Sequence, residues 1–293
     1  MLLVDMSMVL HRCFHKMDFL ANSKGVHTGM EYGSFRILES LQKKFPNQEI
    51  ILVFDIGKSD KQKQYPQYKG NRTEGSSEFY RRINVFRDML QICYKTSFKQ
   101  GIEADEIIYT LAYVYPSPHY IYTNDDDLLQ AISDELHIKV IKSFESKLYY
   151  WDAEKVKEKY FVSPNMLPMF RAFVGDSSDN LPGIPRVNKK LMAEALYNAL
   201  EKWDCKDLMD YLKIVYEENL FGDKMKEQIR LWITEGSFFD NYNLMKLKSI
   251  DCEIFMPTNE NEKLKEFLVE LEIYSLNICK KLGMNAVQEN EEF

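Results

Sequence analysis

Ile50-Ile-Leu-Val-Phe-Asp55 decides the fold, because five apolar residues in a row end on an aspartate. A short, continuous apolar run is typical of a strand buried on both faces of a parallel sheet. Met1-Leu-Leu-Val-Asp5 has the same form, and His119–Thr123 is a third such run, followed by Asn124-Asp-Asp-Asp127. In open α/β sheets, ligands bind beyond the carboxyl ends of the strands. These runs therefore predict a carboxylate-rich site at that edge of the sheet.

Helical patterns separate the strands, which predicts an α/β fold with a mostly parallel sheet and flanking helices. Apolar residues at helical spacing predict helices at Met30–Phe45 and Glu78–Tyr94, and further strands are expected at His137–Ile141 and Lys147–Trp151. The second half of the chain is predicted to be mostly helical. Its predicted helices are Leu191–Trp203, Lys206–Glu218 and Lys263–Leu282. We expect two domains, over residues 1–160 and 161–293.

Composition limits the class of protein. The five cysteines are odd in number and lack Cys-x-x-Cys spacing, which favours a reducing cytoplasm over a disulfide framework or zinc site. No run of about 18 apolar residues predicts a membrane span, and the N-terminus does not resemble a signal peptide. The net charge of −7 is unusual for a nucleic-acid binder. Local charge matters more for a phosphate than net charge does.

Nine acids are candidate metal ligands. They are Asp5, Asp55, Glu103, Asp105, Glu106, Asp125, Asp127, Asp176 and Asp179. The spacing of Asp125 and Asp127 predicts one side of an extended chain, and that of Asp176 and Asp179 one face of a helical turn. A single acid is more often a helix cap or a solvated side chain. As a set, with no matching set of bases in the sequence, they need cations to offset their repulsion.

Oxygen ligands without His or Cys favour Mg²⁺, with Mn²⁺ as a substitute. Two such ions about 4 Å apart can clamp a phosphodiester. The segment from Lys58 to Arg72 contains five bases and one acid, a local charge of +4. Alone it is an ordinary basic loop. Beside an acid cluster, Tyr68, Lys69 and Arg72 predict a phosphate clamp in which Lys69 and Arg72 are catalytic.

Six motifs occur in order over residues 1 to about 200. They are Leu3-Val-Asp5, Phe54-Asp55, Tyr68-Lys-Gly-Asn-Arg72, Gly101-Ile-Glu-Ala-Asp105-Glu106, Thr123-Asn-Asp-Asp-Asp127-Leu-Leu-Gln130 and Gly175-Asp-Ser-Ser-Asp179-Asn-Leu-Pro-Gly183. Together they resemble the flap endonuclease/5′→3′ exonuclease family, particularly its stand-alone bacteriophage members. The resemblance implies a PIN-like, Rossmann-like catalytic domain followed by a helical region with a helix–three-turn–helix element that grips duplex DNA.

The resemblance also implies roles for individual residues. Asp5, Asp55, Glu103 and Asp105 would hold a first metal ion, and Asp125, Asp127 and Asp179 a second, with Asp176 and Glu106 nearby. Lys69 and Arg72 would lie at the base of an arch formed by residues 65–95. The 5′ single strand would pass under or through this arch. The implied DNA-binding residues are His11, Arg12, Lys58, Tyr68, Gly183, Arg186, Asn188, Lys189 and Lys190.

The sequence departs from the family pattern at four places. Glu106 replaces a usual Asp, Met6-Ser7 follows the first Asp, and His11 replaces an aromatic residue that stacks on the terminal base. Arg186-Val-Asn188 replaces Gly-hydrophobic-Gly in the duplex-binding turn, where relatives hold a potassium ion. We expect Asn188 to adopt positive φ, which asparagine tolerates best among non-glycine residues. Either potassium still binds, or the charges of Arg186 and Lys190 replace it.

The function implied is Mg²⁺-dependent cleavage at 5′ flaps and 5′ ends of nicked or branched DNA, with removal of RNA primers from RNA–DNA hybrids. We expect a monomeric cytoplasmic protein of a bacterium or phage-infected cell, without a fused polymerase domain, that has replication proteins as partners. Three alternatives are a PIN-type ribonuclease, a catalytically inactive nucleic-acid-binding relative and a small-molecule phosphatase. The complete acid set disfavours the second, and Met6-Ser7 after Asp5 disfavours the third.

Overall fold

A six-stranded sheet lies at the centre of the computed structural model, which describes residues 1–71, 75–116, 118–145, 147–202 and 207–284. The strands are β1 (Leu2–Asp5), β2 (Ile50–Phe54), β3 (Lys95–Phe98), β4 (His119–Tyr122), β5 (Ile138–Phe144) and β6 (Lys147–Trp151). Their order across the sheet is β3-β2-β1-β4-β5-β6. Only the β5–β6 pair is antiparallel. The predicted α/β class is confirmed, and the sheet brings the ends of β1, β2 and β4 side by side.

Helices cover the sheet and form most of the second half. Those before β6 are α1 (Met6–Lys16), α2 (Gly29–Lys44), α3 (Asp60–Gln64), α4 (Ser77–Gln91) and α5 (Ala104–Val114). Those after it are α6 (Ala153–Tyr160), α7 (Leu167–Val174), α8 (Lys189–Lys202), α9 (Leu208–Glu217), α10 (Asp223–Thr234), α11 (Ser237–Met245), α12 (Asn261–Glu270) and α13 (Asn277–Lys281). Two 3₁₀ helices span Asp127–Ala131 and Pro164–Met166. Within the described ranges, no helix is long and apolar enough to cross a membrane.

Alternating side chains of the sheet enter two hydrophobic clusters. Leu2 and Val4 of β1 belong to one cluster, together with Leu264 and Leu276 from the C-terminal helical region. Leu3 belongs to the other, which extends to Phe238 of α11. Both clusters therefore contain residues from each side of position 160. The boundary at 160/161 stays a prediction, and the hydrophobic packing does not separate there.

One strand was not predicted from the sequence, and one expected helix was wrong, each for an identifiable reason. Strand β3 was missed because three of its four residues, Lys95-Thr-Ser-Phe98, are polar. Buried Ser97 donates to the Glu253 carbonyl at 2.6 Å, and Thr96 pairs with Phe255. The helix expected over Lys263–Leu282 is two helices, α12 and α13, because Glu272 adopts φ 56 between them. A left-handed residue ends a right-handed helix.

Gly183 brings two segments into backbone contact after α7. A Cβ built on Gly183 would lie 2.2 Å from the carbonyl carbon of Val174 and 2.5 Å from the nitrogen of Gly175. Gly175 itself has φ 78. Between them, Asp176 and Leu181 form a β-bridge that closes a turn, with N–H to carbonyl distances of 2.9 and 2.8 Å. This turn carries two of the candidate acids.

We expect Gly183→Ala to lower the free energy of unfolding by about 3 kcal/mol, because the methyl group overlaps backbone atoms that cannot move independently. Gly222→Ala is the matched control, since nothing lies within 4 Å of its added methyl group. Gly222 is a helix N-cap with φ −70, so alanine should cost about 1 kcal/mol or less there. Urea denaturation measures both, and equal losses would contradict the explanation from backbone contact.

Candidate active site

Four aspartates line one cavity at the carboxyl edge of the sheet. Asp5 ends β1, Asp55 follows β2, Asp105 lies in the first turn of α5, and Asp125 follows β4. The cavity measures about 400 Å³ and is also lined by Lys69, Glu103 and His11. Asp5, Asp55 and Asp125 meet at this edge because β1, β2 and β4 are neighbours in the sheet, and Asp105 joins them from α5.

Hydrogen bonds hold several of these aspartates in place. Asp5 caps α1, accepting from the Met8 amide at 3.0 Å, and its other oxygen accepts from Thr123 Oγ1 at 2.7 Å. Asp55 Oδ1 accepts from the Ala104 amide at 2.7 Å. As they stand, no three acidic, histidine or cysteine side chains within the described residues are close enough to hold one metal ion. An ion would have to draw the carboxylates together.

Two of the four aspartates, Asp5 and Asp105, lie where their negative charge is unfavourable. Burial, with the neighbouring charges of Asp55 and Asp125, raises the pKa of Asp5 to about 7. Burial and the charge of Glu103 also raise the pKa of Asp105. Within the described residues, none of the four forms an ion pair with a lysine or arginine. Hard oxygen donors that form no ion pair with a described base fit a divalent cation such as Mg²⁺ or Mn²⁺.

Lys69 is held at the edge of this cavity by Glu103. Its Nζ lies 2.7 Å from Glu103 Oε1, which also accepts from Ser59 Oγ at 3.1 Å, and Tyr68 donates to Glu103 Oε2 at 3.2 Å. Burial would lower the pKa of Lys69, but the charges of Glu103, Asp105 and Asp179 raise it above its ordinary value. Lys69 is therefore a fixed cation, and both oxygens of Glu103 are engaged by protein groups.

The expectation that no matching set of bases accompanies the acids was wrong, whereas Lys69 lies beside the acid cluster as expected. Besides Lys69, Lys61 lies 3.3 Å from Glu106 Oε1 and 3.7 Å from Glu103 Oε2. The sequence placed Lys61 in the basic segment but gave it no role, because its partners are more than 40 residues away along the chain. Glu106 thus pairs with a base and does not line the aspartate cavity.

Arg171 neutralises a second group of acids and was missed altogether. Its Nη1 donates to Asp127 Oδ1 and lies 3.0 Å from Asp176 Oδ2. It lines a larger adjoining cavity of about 660 Å³ that shares Asn124 and Asp125 with the first. A signal existed in the sequence, since Arg171 is the one charged residue in the apolar helix α7. A lone buried base on an apolar helix requires an acidic partner.

Two turns from distant parts of the chain dock beside the site. The Lys69 amide donates to the Asp179 carbonyl at 2.9 Å, and Asn180 Nδ2 donates to the Gln67 carbonyl at 2.8 Å. Lys69 and Asn180 have φ 56 and 57. The helical turn expected at Asp176–Asp179 was therefore wrong: these acids lie in a tight turn closed by a β-bridge. Asp179 is buried at 2% exposure.

Asp125 and Asp127 also differ from expectation, since the chain is not extended there. Asp127 begins a 3₁₀ helix, and its amide donates to Asp125 Oδ1 at 2.8 Å. The turn sends Asp125 into the aspartate cavity and Asp127 toward Arg171. Asp126 between them pairs with Lys142. Burial would raise the pKa of Asp126, but the hydrogen bonds from Lys142 and Tyr160 hold it below the usual range.

The candidate DNA-binding residues have different environments. Tyr68 was expected on the DNA surface, but it is 2% exposed and packs with Leu181, Leu244 and Met245. A buried ring cannot stack on a base. His11 is exposed, lines the aspartate cavity and contacts the Phe79 ring at 4.7 Å between centroids. Lys58 is exposed, and Arg72 lies outside the described residues.

Arg12 is turned partly inward. Its Nη1 is buried, and within the described residues it has no hydrogen-bond partner. Burial raises the pKa of Tyr122, and the charge of Arg12 opposes that increase, so the two side chains lie close together. Its role in DNA binding stays a prediction.

The predicted duplex-binding turn has a different backbone from the expected one. The residue with positive φ is Arg186, at 63, and not Asn188. Asn188 instead caps α8, since its Oδ1 accepts from the amides of Lys190 at 3.0 Å and Leu191 at 3.2 Å. Asparagine is favoured in both settings, so its identity alone did not distinguish them. Arg186, Lys189 and Lys190 are exposed. Gly183 is explained by its contact with Val174.

We expect Arg186→Val to lower the free energy of unfolding by about 1 kcal/mol or more, because a β-branched residue resists positive φ. Arg186→Asn is the control, since asparagine adopts this conformation readily and also lacks the charge. Its stability should stay close to that of the wild type in urea denaturation. Equal losses in both variants would assign the effect to the arginine charge and not to the backbone.

Sequence comparison decides the family. The family model described as 5′-3′ exonuclease, N-terminal resolvase-like domain, matches residues 1–161. This chain belongs to the 5′-3′ exonuclease family. The 5′-3′ exonuclease of Aquifex aeolicus is 31% identical over 281 residues, covering 94% of this chain and 92% of that protein. DNA polymerase I of Bacillus subtilis is 28% identical over 236 residues, covering 78% of this chain. The match spans about a quarter of that polymerase, 26% of its length.

A solved structure has a similar fold over most of this chain. The bacteriophage T5 flap endonuclease, crystallised as a pseudo-enzyme–product complex with DNA and metal ions, has a TM-score of 0.62 at 18% identity. The alignment covers 96% of this chain and 97% of that one. The PIN-like fold and the helical C-terminal region implied by the resemblance are thereby confirmed.

Proposed function

We propose that this chain is a metal-dependent, structure-specific 5′ nuclease that hydrolyses phosphodiester bonds at 5′ flaps and 5′ ends of DNA. The observation that carries the proposal is the convergence of four aspartates in one cavity with Lys69 fixed beside them. The activities named for the relatives, 5′-3′ exonuclease and flap endonuclease, support it. Removal of RNA primers from RNA–DNA hybrids during replication falls within the same proposal.

Asp5, Asp55, Asp105 and Asp125 would hold the divalent cation, which we propose to be Mg²⁺ with Mn²⁺ as a substitute. When bound, such a cation lowers the pKa of an attacking water and stabilises the leaving oxygen. The protein contributes by fixing the carboxylates. Asp5 is held by Met8 and Thr123, and Asp55 by Ala104. Anchored ligands lose little conformational freedom when an ion binds.

Lys69 would stabilise negative charge on the scissile phosphate. Its ammonium lines the cavity, and its positive charge is secured by the surrounding acids. Glu103 and Tyr68 are positioning residues for Lys69. Glu103 Oε1 accepts a hydrogen bond from Lys69 Nζ, and Tyr68 donates a hydrogen bond to Glu103 Oε2. A cation that is already oriented stabilises developing charge without reorganisation.

The exposed bases of the turn before α8, namely Arg186, Lys189 and Lys190, would contact the phosphates of the duplex. Each lost phosphate contact lowers the salt slope of log affinity by about one unit. We propose that these charges, and not a bound potassium ion, provide most of the affinity at this turn. Duplex binding should accordingly differ little between sodium and potassium.

The central test compares adjacent aspartates. We expect Asp125→Asn to slow cleavage of a 5′-labelled flap in Mg²⁺ by about 100-fold or more, because a ligand is lost. Asp126→Asn is the matched control from the same run of acids, and it should retain most of the wild-type rate because Asp126 pairs with Lys142, outside the aspartate cavity. Flap binding in Ca²⁺ should change little in either variant.

Cleavage assays on several substrates distinguish the proposed function from its alternatives. Wild-type protein should cut a flap and a nicked duplex in Mg²⁺ and neither in chelator. Preferential cleavage of single-stranded RNA over every DNA substrate would instead favour a PIN-type ribonuclease. A wild-type rate in Asp125→Asn would remove Asp125 from the ligand set.

A second test concerns the lysine. Lys69→Ala should reduce the single-turnover cleavage rate by about 100-fold, equivalent to roughly 3 kcal/mol, and weaken binding much less. Lys63→Ala removes a base from the same segment, where Lys63 forms an exposed ion pair with Asp60 at 2.8 Å. This control should leave the rate near that of the wild type. If Lys69→Ala weakened binding and left the rate unchanged, Lys69 would serve in docking alone.

A further inference from the structure

The guanidinium of Arg171 occupies a position between two candidate metal ligands. Arg171 is 6% exposed and comes from α7, whose other residues are apolar. Its Nη1 donates to Asp127 Oδ1 and lies 3.0 Å from Asp176 Oδ2. Burial would lower the pKa of Arg171, but the charges of Asp127 and Asp176 raise it above the ordinary value. This side chain is therefore a permanent cation.

The two acids come from separate segments and both contact this cation, whose Nη2 also lies 3.9 Å from Asp126 Oδ2. Asp127 begins the 3₁₀ helix after β4, and Asp176 begins the turn after α7. Bridging carboxylates from two segments is also what a divalent ion does in a protein. A guanidinium and a metal ion cannot occupy the same space between these oxygens, and their charges repel each other.

The four-aspartate cavity differs in this respect. Asp5, Asp55 and Asp125 form no ion pair with a described lysine or arginine, whereas Asp127 and Asp176 share one. The resemblance assigns acids of both groups to metal ions. The arrangement of side chains fits an ion at the first group, and at the second it fits only if Arg171 moves away.

We infer that Arg171 acts as a built-in monovalent cation at the Asp127–Asp176 pair, so that the DNA-free protein holds one divalent ion with high affinity and a second only weakly. The inference rests on the proposed function, because it takes the four aspartates as the high-affinity site. Arg171 is then a residue that sets the number of bound ions and not one that binds substrate.

The test counts Mn²⁺ ions on the DNA-free protein by isothermal titration calorimetry and by electron paramagnetic resonance of free Mn²⁺. Wild type should show one high-affinity site. Arg171→Gln should gain a second, with an affinity at least about tenfold higher than the weak wild-type site, equivalent to about 1.4 kcal/mol. Arg171→Lys, which keeps the charge, should bind a second ion as weakly as the wild type.

Two further variants make the result specific. Lys142→Gln removes a base from Asp126, the residue next to Asp127, and should leave the count at one. Arg171→Gln combined with Asp176→Asn removes both members of an ion pair and should lose the gained site. Thermal unfolding gives an independent readout, since Mn²⁺ should raise the Tm of Arg171→Gln more than that of the wild type.

The outcomes separate the two proposals. Two sites of equal affinity in the wild type, or one site in a folded Arg171→Gln, would overturn the role of Arg171 and leave the proposed nuclease intact. If Arg171→Gln does not fold without metal, the number of high-affinity Mn²⁺ sites on the wild type can still overturn the role of Arg171. A wild type that binds no Mn²⁺, or an Asp55→Asn variant that retains the high-affinity site, would overturn the assignment of the aspartate cavity itself.

Discussion

Repulsion between carboxylates at one edge of a parallel sheet is the constraint on which the rest of this site depends. The fold gathers the acids there because β1, β2 and β4 are adjacent and each leads into an aspartate. The surrounding protein compensates the negative charges unevenly. Lys61, Lys69 and Arg171 pair with Glu103, Glu106, Asp127 and Asp176, whereas the four cavity aspartates form no ion pair with a described lysine or arginine. The uneven compensation divides one acid cluster into aspartates without an ion pair to a described base and acids that are paired with lysine or arginine.

The position of the site was predictable from the sequence because its cause is local. An apolar run that ends on an aspartate specifies both a buried strand and an acid at its carboxyl end, as at Asp5 and Asp55. The ion pairs between bases and acids were not predictable in the same way. Glu103 is 34 residues from Lys69, and Asp127 is 44 residues from Arg171. Pairings over such separations depend on the tertiary fold, which spacing in the sequence does not encode.

Backbone conformation was the least predictable part of the site. Asn188 suits both positive φ and a helix cap, and the structure uses it as a cap while Arg186 takes the left-handed conformation. Tyrosine is a residue type that often stacks on nucleic-acid bases. The ring of Tyr68, however, is buried against Leu181, and its hydroxyl orients Glu103. In each case the residue type permits two roles, and the neighbours brought by distant segments select one.

The mixing of both halves of the chain in each hydrophobic cluster has a consequence for synthesis on the ribosome. The side of the sheet that carries Leu2, Val4 and Phe54 is completed by Leu268, Leu276 and Cys279 near the other end of the chain. Nascent chains grow at about 5–20 residues per second. Helices α1, α2 and α4 emerge with the strands and supply part of this cluster, but for many seconds the cluster lacks the contribution of Leu268, Leu276 and Cys279. A chaperone that binds exposed apolar surface therefore has a defined interval in which to act on this protein.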